Sequence, residues 1–319
     1  MKLSLIMAVY NGEKYIKKQL DSIYYQTKKI DEILLIDDCS KDNSVKIINE
    51  YIKEKKINNW KLVQNEKNLG YKNNFKKGLS LVSGDIIFLA DQDDIWHLDK
   101  IEKLLSKIDD RVLAISSSFE FINQNDEKFT IKENKNKSNN NIIDFKLKEK
   151  FTNINLQYLL RCNIAQGCTM AIKKELVNEY LKLSDGHLPH DWDLNLIAAT
   201  HHGCYFYDEK LIDYRIHDSN TIGLDEVEET YIENKDKRTK NRISYLKSEL
   251  DNVNYALTLN LMQNDYNMCL KNKEYLNKRI EYLEMGKIFK LCKYFLFGNY
   301  RKFGAVKTFL GDIISILRK

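Results

Sequence analysis

The sequence predicts an α/β domain built on a mainly parallel central sheet, followed by a helical C-terminal region. Three observations carry that prediction. Short β-rich apolar runs alternate with amphipathic stretches up to about residue 122, and polar turn-forming residues follow each early run. After about residue 225 helical periodicity takes over almost completely. Alternation of strand and helix marks βαβ units, whose crossovers cover a parallel sheet on both faces.

Leu3 to Val9 is a continuous apolar run of strand length, read as a buried first strand. Glu13 to Tyr25 carries apolar residues at 15, 16, 20, 23 and 24, which is helical spacing. Glu32 to Ile36 is the second strand, and Asp42 to Ile52 a helix with Val45, Ile48 and Ile52 on one stripe. Trp60 to Val63, Asn73 to Val82 and Asp85 to Ala90 continue as strand, helix and strand. A helix over Leu98 to Ile108 and a long strand over Val112 to Ile122 follow. Residues 123–150 are rich in Asn and Lys, which fits either a mobile lid or a plain surface insertion. Order resumes with a helix from Asn155 to Cys162, a strand over Cys168 to Ile172 and a helix from Lys174. The only proline, Pro189, precedes a helix start at His190-Asp191-Trp192-Asp193, and Leu211 to Ile216 is a late strand. In the tail, Ile243, Leu246, Leu250, Val253 and Leu257 form a short coiled-coil-like seam that ends at Asn260. It suits packing on the chain's own later helices or a homodimer.

Composition narrows the class. With 43% hydrophobic and 30% charged residues among 319, the chain can build a sizeable core and is not expected to be disordered. A net charge of +5 is too mild for a nucleic-acid binder, yet favours phosphate-bearing partners or anionic lipid. The six cysteines lack Cys-x-x-Cys spacing, so reduced thiols are expected rather than a disulfide framework or zinc ribbon. A signal peptide and a bilayer-spanning apolar stretch are both missing from the pattern, so the expected location is cytoplasmic.

The chemistry-bearing residues fall where the predicted strands end. Asp91-Gln92-Asp93-Asp94-Ile95-Trp96 follows the strand ending at Ala90, and ligands of open α/β sheets bind beyond the carboxyl ends of strands. Asp91 and Asp93, two residues apart, supply hard oxygen ligands suited to Mn²⁺ or Mg²⁺. Such a cation would stabilise the charge that develops on a departing diphosphate. An acidic turn capping the next helix is the plainer alternative. Asp37-Asp38-Cys39-Ser40 ends the second strand and offers either a carboxylate for the N3–H of a uracil or thymine base, or a helix cap. Ala8-Val9-Tyr10-Asn11-Gly12 and Asn68-Leu69-Gly70 leave the first and third strands, with glycines that permit close backbone approach or simply turn.

In combination, Val9-Tyr10-Asn11-Gly12, Asp37-Asp38-Cys39-Ser40, Asn68-Leu69-Gly70 and the Asp91 to Trp96 run resemble family 2 glycosyltransferases of the GT-A fold. His190-Asp191-Trp192 and Tyr214-Arg215-Ile216-His217-Asp218-Ser219-Asn220 resemble that family's bacterial rhamnosyltransferase branch. The resemblance covers residues 1–223 as a catalytic domain and leaves 224–319 as a helical region outside it. It implies an inverting transfer from a dTDP- or UDP-linked sugar, rhamnose or another hexose, to a glycan or lipid-linked acceptor in surface-polysaccharide synthesis. Ala8, Tyr10, Asn11, Asp37, Asp38, Asn68, Gly70, Asp91, Gln92, Asp93 and Arg215 would bind the donor. Asp93, Asp91 and His217 would hold the metal, with Arg215 beside the diphosphate. Asp191 matches the general base, with Asp193 as its rival and helix N-capping as the structural alternative. Gln166, Gly167, His190 and Trp192 would line the acceptor pocket.

The segment Gly286 to Lys319 interleaves Phe289, Tyr294, Phe295, Phe297, Phe303 and Phe309 with eight Lys or Arg and a single Asp. That pattern fits an interfacial helix on anionic lipid, or a helix packed on the protein with its basic face solvated. Three other classes stand against a transferase of sugars. A sugar nucleotidyltransferase would want a Gly-rich basic loop after the first strand, where Tyr10-Asn11-Gly12-Glu13 stands. A nicotinamide dehydrogenase would want Gly-x-Gly-x-x-Gly there. A scaffold built on the tail would have no use for acidic strand ends.

Overall fold

The computed structural model describes residues 1–217, 235–300 and 306–317, apart from the side chains of 235–241 and 307. Two compact units result, Met1–Asp218 and Ser219–Lys319. Asp218, Ser219 and Asn220 of the resemblance, Phe303, and the 223/224 boundary lie outside the described residues.

The first unit opens with β1 (Leu3–Val9), α1 (Ile16–Tyr24), β2 (Glu32–Asp37), α2 (Ser44–Glu54), β3 (Trp60–Gln64), α3 (Gly70–Leu81) and β4 (Ile86–Ala90). It continues with β5 (Ile95–Trp96), α4 (Lys100–Leu105), β6 (Ala114–Ile122), β7 (Lys128–Phe129), β8 (Phe151–Asn153) and α5 (Leu156–Leu159). A 3₁₀ turn at Gly167–Thr169 leads into β9 (Met170–Lys173), α6 (Lys174–Leu183), α7 (His190–Thr200) and β10 (Cys204–Arg215).

The sheet order is β3-β2-β1-β4-β9-β6-β10-β5, with β7 on β6 and β8 on β10. Neighbours are parallel across β3-β2-β1-β4, as the βαβ pattern predicts, and the sheet is mixed beyond β4. Leu5, Ile6, Met7, Leu35, Ile36, Phe88 and Leu89 are fully sealed, each side chain contributing roughly 1.5–3 kcal/mol. Burial on both faces is why these strands read as unbroken apolar runs instead of alternating ones. The inserted antiparallel β9 runs from the carboxyl end of β4 back along it, pairing Phe88 with Ala171 and Ile86 with Lys173. It thereby delivers Gly167–Thr169 to the rim where β4 ends.

Several boundaries move. The helix expected from Glu13 starts at Ile16, that from Asn73 starts at Gly70, and the late strand begins at Cys204 instead of Leu211. Residues 123–150 are not a free lid. Ile143 is buried, Ser138 pairs with Ile143, and the Asn139 amide donates to the Ile164 carbonyl at 2.8 Å. Asn139, Asn140 and Asn141 all take positive φ, a conformation asparagine tolerates better than most residues. This is an anchored insertion, over a polar cavity of about 250 Å³ whose lining shares no residue with the acidic rim.

The second unit has α8 (Lys235–Ala256), α9 (Gln263–Glu284), α10 (Ile288–Leu296) and α11 (Val306–Leu317) among its described residues. Helix α8 packs along α9 and touches α11. Leu246 and Val253 of the seam are buried, so the seam serves packing within the chain. Asp312 is fully buried and accepts from Arg279 at 2.6 and 2.9 Å, from Tyr300 at 2.6 Å and from Arg242, tying α11 to both long helices. None of the described helices is long and apolar enough to cross a membrane.

Candidate active site

The parallel strands β1, β2, β3 and β4 present their carboxyl ends at one rim, and the loops leaving them are stitched together. The Gln92 amide pairs with both polar groups of the Tyr10 backbone, accepting from N–H at 2.8 Å and donating to the carbonyl at 2.7 Å. A Cβ on Gly12 would sit 2.2 Å from Gln92 Oε1, so a side chain there would push the Gln92 amide off the Tyr10 backbone. Asn11 has φ of 50°, and its Oδ1 accepts from Lys41 N–H at 2.7 Å while its own N–H donates to Ser40 at 2.9 Å. Gln92 therefore braces the first loop. Ala8 is half-buried at the strand end, and Tyr10 is exposed.

The two carboxylates after β2 behave differently. Asp38 accepts from Leu69 N–H at 2.7 Å, Gly70 N–H at 2.8 Å and the Asn65 amide at 2.8 Å, so it caps the start of α3. Asn68 supports the same turn, accepting from Gly70 N–H at 3.0 Å. Gly70 has φ of 74° and open space where a Cβ would stand, so backbone conformation, not crowding, requires glycine there. Asp37 is also buried, with the longer 3.3 Å approaches from Ser40 N–H.

The acidic turn after β4 enters β5, whose Trp96 and Ile95 pair antiparallel with Ile212 and Asp213 of β10. That pairing lays Arg215 and His217 against Asp93 and Asp94. His217 Nε2 stands 2.9 Å from Asp93 Oδ2, and the two side chains are only 12% and 16% exposed. Arg215, expected beside the diphosphate, has its guanidinium committed to the protein. It is fully buried, donating from Nε to the Asp93 carbonyl at 2.6 Å and from one terminal nitrogen to Asn123 O at 2.9 Å and Asp126 at 2.6 Å. Its guanidinium also covers the Tyr15 ring at 4.5 Å. The arginine fixes the acidic turn from behind.

Beneath the turn lies a cluster that sequence reasoning misses. Ligand atoms of Asp91, Asp94 and Cys168 lie within 4.8 Å of one another. Lys100 is fully buried beside them, donates to the Cys168 carbonyl at 2.5 Å and stands 3.4 Å over the Trp96 ring. Burial lowers the Lys100 ammonium to about 7. Burial, then the Asp93 and Asp191 carboxylates, push Asp91 up to about 7, and Asp94 is likewise held well above its ordinary value. Crowded carboxylates that resist ionisation are a state a divalent cation relieves, and their hard oxygens fit Mn²⁺ or Mg²⁺. Trp96 is packed in the core, at 2% exposure.

Asp191 reaches this rim from the first turn of α7. Burial raises its carboxyl to about 6, against the opposing pull of the Trp192 and Gly167 N–H groups and Asn163. Its rival Asp193 is fully buried. His190 is 5% exposed, stacked on Phe75 at 4.0 Å, and neither ring nitrogen has a hydrogen-bond partner. Burial, with Lys72 nearby, drops its imidazole to about 3, so it is neutral. A Cβ on Gly167 would lie 2.6 Å from His190 Nε2 and 3.5 Å from Asp191 Cβ, so Gly167, His190 and Asp191 are in contact. The Gln166 Oε1 atom is buried there without a partner. Trp192 commits its indole N–H to the Leu159 carbonyl at 2.7 Å.

With that geometry in view, the likenesses to known proteins are informative. Residues 4–181 match the family model of Glycosyl transferase family 2. An uncharacterized glycosyltransferase of Rickettsia typhi is 30% identical over 239 residues, spanning 71% of this chain and 68% of its own. The dTDP-rhamnosyl transferase RfbG of Shigella flexneri is 30% identical over 228 residues, spanning 68% and 73%. Among solved structures, S. aureus TarS 1-349 in complex with UDP is similar at a TM-score of 0.55 and 17% identity, covering 86% of this chain and 71% of that one. The mannosyltransferase PcManGT from Pyrobaculum calidifontis, in complex with GDP-Man and Mn2+, reaches 0.54 at 15% identity, covering 99% and 86%. At such identities these two speak for the fold alone. The chain is a glycosyltransferase of family 2, with the GT-A fold.

Proposed function

We propose that the acidic rim binds a nucleoside diphosphate sugar, dTDP- or UDP-linked, and that Asp191 deprotonates the attacking acceptor hydroxyl in a single inverting displacement. The observation that carries this reading is the approach of Asp191, on the first turn of α7, to Asp91 at the end of β4, near enough for the Asp191 charge to raise the Asp91 carboxyl. A base and a leaving-group site must flank the anomeric carbon in one displacement. Asp191 suits the base better than Asp193, because it keeps some access to solvent while Asp193 is sealed. Its raised proton affinity brings it closer to the operating pH, where general bases work best.

Asp93 and Asp91, with His217 against Asp93, would hold Mn²⁺ or Mg²⁺. When bound, that cation offsets charge on the diphosphate leaving group. Asp37 is assigned the base N3–H, since the oxygens of Asp38 already serve α3. Asn68 and Gly70 then shape the nucleotide pocket indirectly, through the α3 turn. Tyr10, Asn11 and Ala8 form its other wall. Arg215 and Gln92 hold the rim in place. Gln166, Gly167 and the neutral His190 border the acceptor, with Trp192 behind them.

Rhamnose from a dTDP donor is the favoured sugar, supported by the relative whose name carries it and by the motifs through His217. A glycan or lipid-linked acceptor in surface-polysaccharide assembly, at the cytoplasmic face, is the matching context. The test is a donor panel with and without Mn²⁺, read as nucleoside diphosphate release and product stereochemistry, in wild type and Asp191→Asn. Cation-dependent use of one donor with inversion, abolished in the variant, is expected. Retention of configuration, or full turnover by the variant, overturns the assignment of Asp191.

A further inference from the structure

We infer that the outer face of α10 and α11 is a docking surface for an anionic bilayer. It stands on the second unit alone and is independent of the donor and the catalytic base.

Each of these helices buries one side and leaves an apolar stripe on the other. In α10 the inner side holds Leu291 and Phe295, the latter stacked on Phe309 of α11 at 4.2 Å. Its outer side carries Phe289, 84% exposed, Leu296, 81%, and Phe297, 71%. With Lys293 these sit at i, i+4, i+7 and i+8, one continuous stripe of a helix. In α11, Phe309, Asp312 and Ser315 face inward, while Val306, Leu310, Ile314 and Leu317 are exposed at i, i+4, i+8 and i+11. Single exposed apolar residues are ordinary on a protein surface, but seven aligned on two packed helices are not.

The occupant follows from charge. Lys293 lies within the Phe289 stripe and Lys290 follows Phe289 directly; neither has an ion-pair partner among the described residues, the Lys290 ammonium standing 5.8 Å over the Tyr282 ring. The single acid in Gly286 to Lys319 is Asp312. It is sealed inside and neutralised by Arg279 and Arg242, so these two helices turn no carboxylate toward solvent. An apolar stripe edged by cations and lacking anions matches the boundary between headgroups and acyl chains of a negatively charged leaflet. At 9 and 12 residues the helices lie along such a surface and do not span it. A protein partner or second copy would be expected to offer acids for Lys290 and Lys293, and α10 and α11 themselves expose none to supply them.

The test is flotation of the full chain with phosphatidylcholine vesicles, with and without phosphatidylglycerol. Two surface variants accompany it, Phe289→Ser/Leu296→Ser/Phe297→Ser and Lys290→Glu/Lys293→Glu. Wild type is expected to float with anionic vesicles only, and less at high salt. Each variant should bind about tenfold more weakly or worse, with unchanged melting temperature and unchanged donor turnover toward a soluble acceptor. Wild type that ignores anionic vesicles overturns the proposal, as does binding that neither variant alters. A dimer in sedimentation that the triple serine variant dissolves, without vesicle binding, reassigns the face to a second copy.

Discussion

Gly167→Ala probes the contact on which the acceptor side of the site depends. The added methyl would start 2.6 Å from His190 Nε2, and contacts tighter than 3.4 Å already force a neighbour to give. Opening that gap requires a shift of about 0.8 Å, and a misplacement near 1 Å is able to lower a rate about 100-fold. His190 cannot retreat, since Phe75 is stacked behind it at 4.0 Å and the ring is 5% exposed. The strain therefore passes to α7 and to Asp191, the next residue along. We expect kcat to fall by about 10- to 100-fold, with a stability loss of about 1–3 kcal/mol from overpacking. Steady-state kinetics and thermal melting measure both. The diagnostic arm is Gly167→Ala/His190→Ala, in which the imidazole is gone and the methyl has room, so part of the stability should return. Within a double-mutant cycle that return is a coupling of the two positions. A single variant with kcat within twofold of wild type, or a double variant whose losses simply add, refutes the packing argument.

Other outcomes follow from the same geometry. Turnover should fall as pH drops through about 6, where Asp191 gains its proton, and Asp191→Asn should lose at least about 100-fold in kcat while still binding donor. Because the folded state holds that proton more tightly than an ordinary carboxyl at 3.8, stability should decline as pH rises from about 4 to about 6. Melting curves of the asparagine variant should lack that part of the decline. Lys100→Met removes the buried amine that donates to the Cys168 carbonyl beside Asp91 and Asp94, and should destabilise the fold by about 1–3 kcal/mol in denaturant titration. Asp38→Ala should lower stability by about 1–2 kcal/mol through the lost α3 cap, whereas Asp37→Ala should chiefly raise KM for the donor.

Much of this was legible in the sequence because the first strands are sealed on both faces, and sealed strands are unbroken apolar runs. The acidic turn was legible because four polar residues directly after such a run have few structural uses. The mixed half of the sheet was harder to read. Strands β5, β7 and β8 are two or three residues long, and β10 carries the polar run Asp208-Glu209-Lys210 in its middle and shifts register twice, which masks its length. Lys100 escaped notice because an isolated lysine at a helix start is ordinarily solvated. Only the approach of Cys168 and Trp96 in space reveals it. The division of labour between Asp37 and Asp38 was equally invisible, since adjacent carboxylates differ only in which loop they meet. Arg215 read as a phosphate ligand by residue type, and it is the pairing of β5 with β10 that draws it under the turn.

The most direct measurement is calorimetric titration of UDP and dTDP into wild type and Asp93→Ala, each with and without Mn²⁺. Binding of one nucleotide that requires the cation in wild type and is lost in the variant is what an acidic rim built to hold a metal-bound diphosphate predicts. Equal binding with and without the cation, or an Asp93→Ala variant that binds as wild type does, would contradict it.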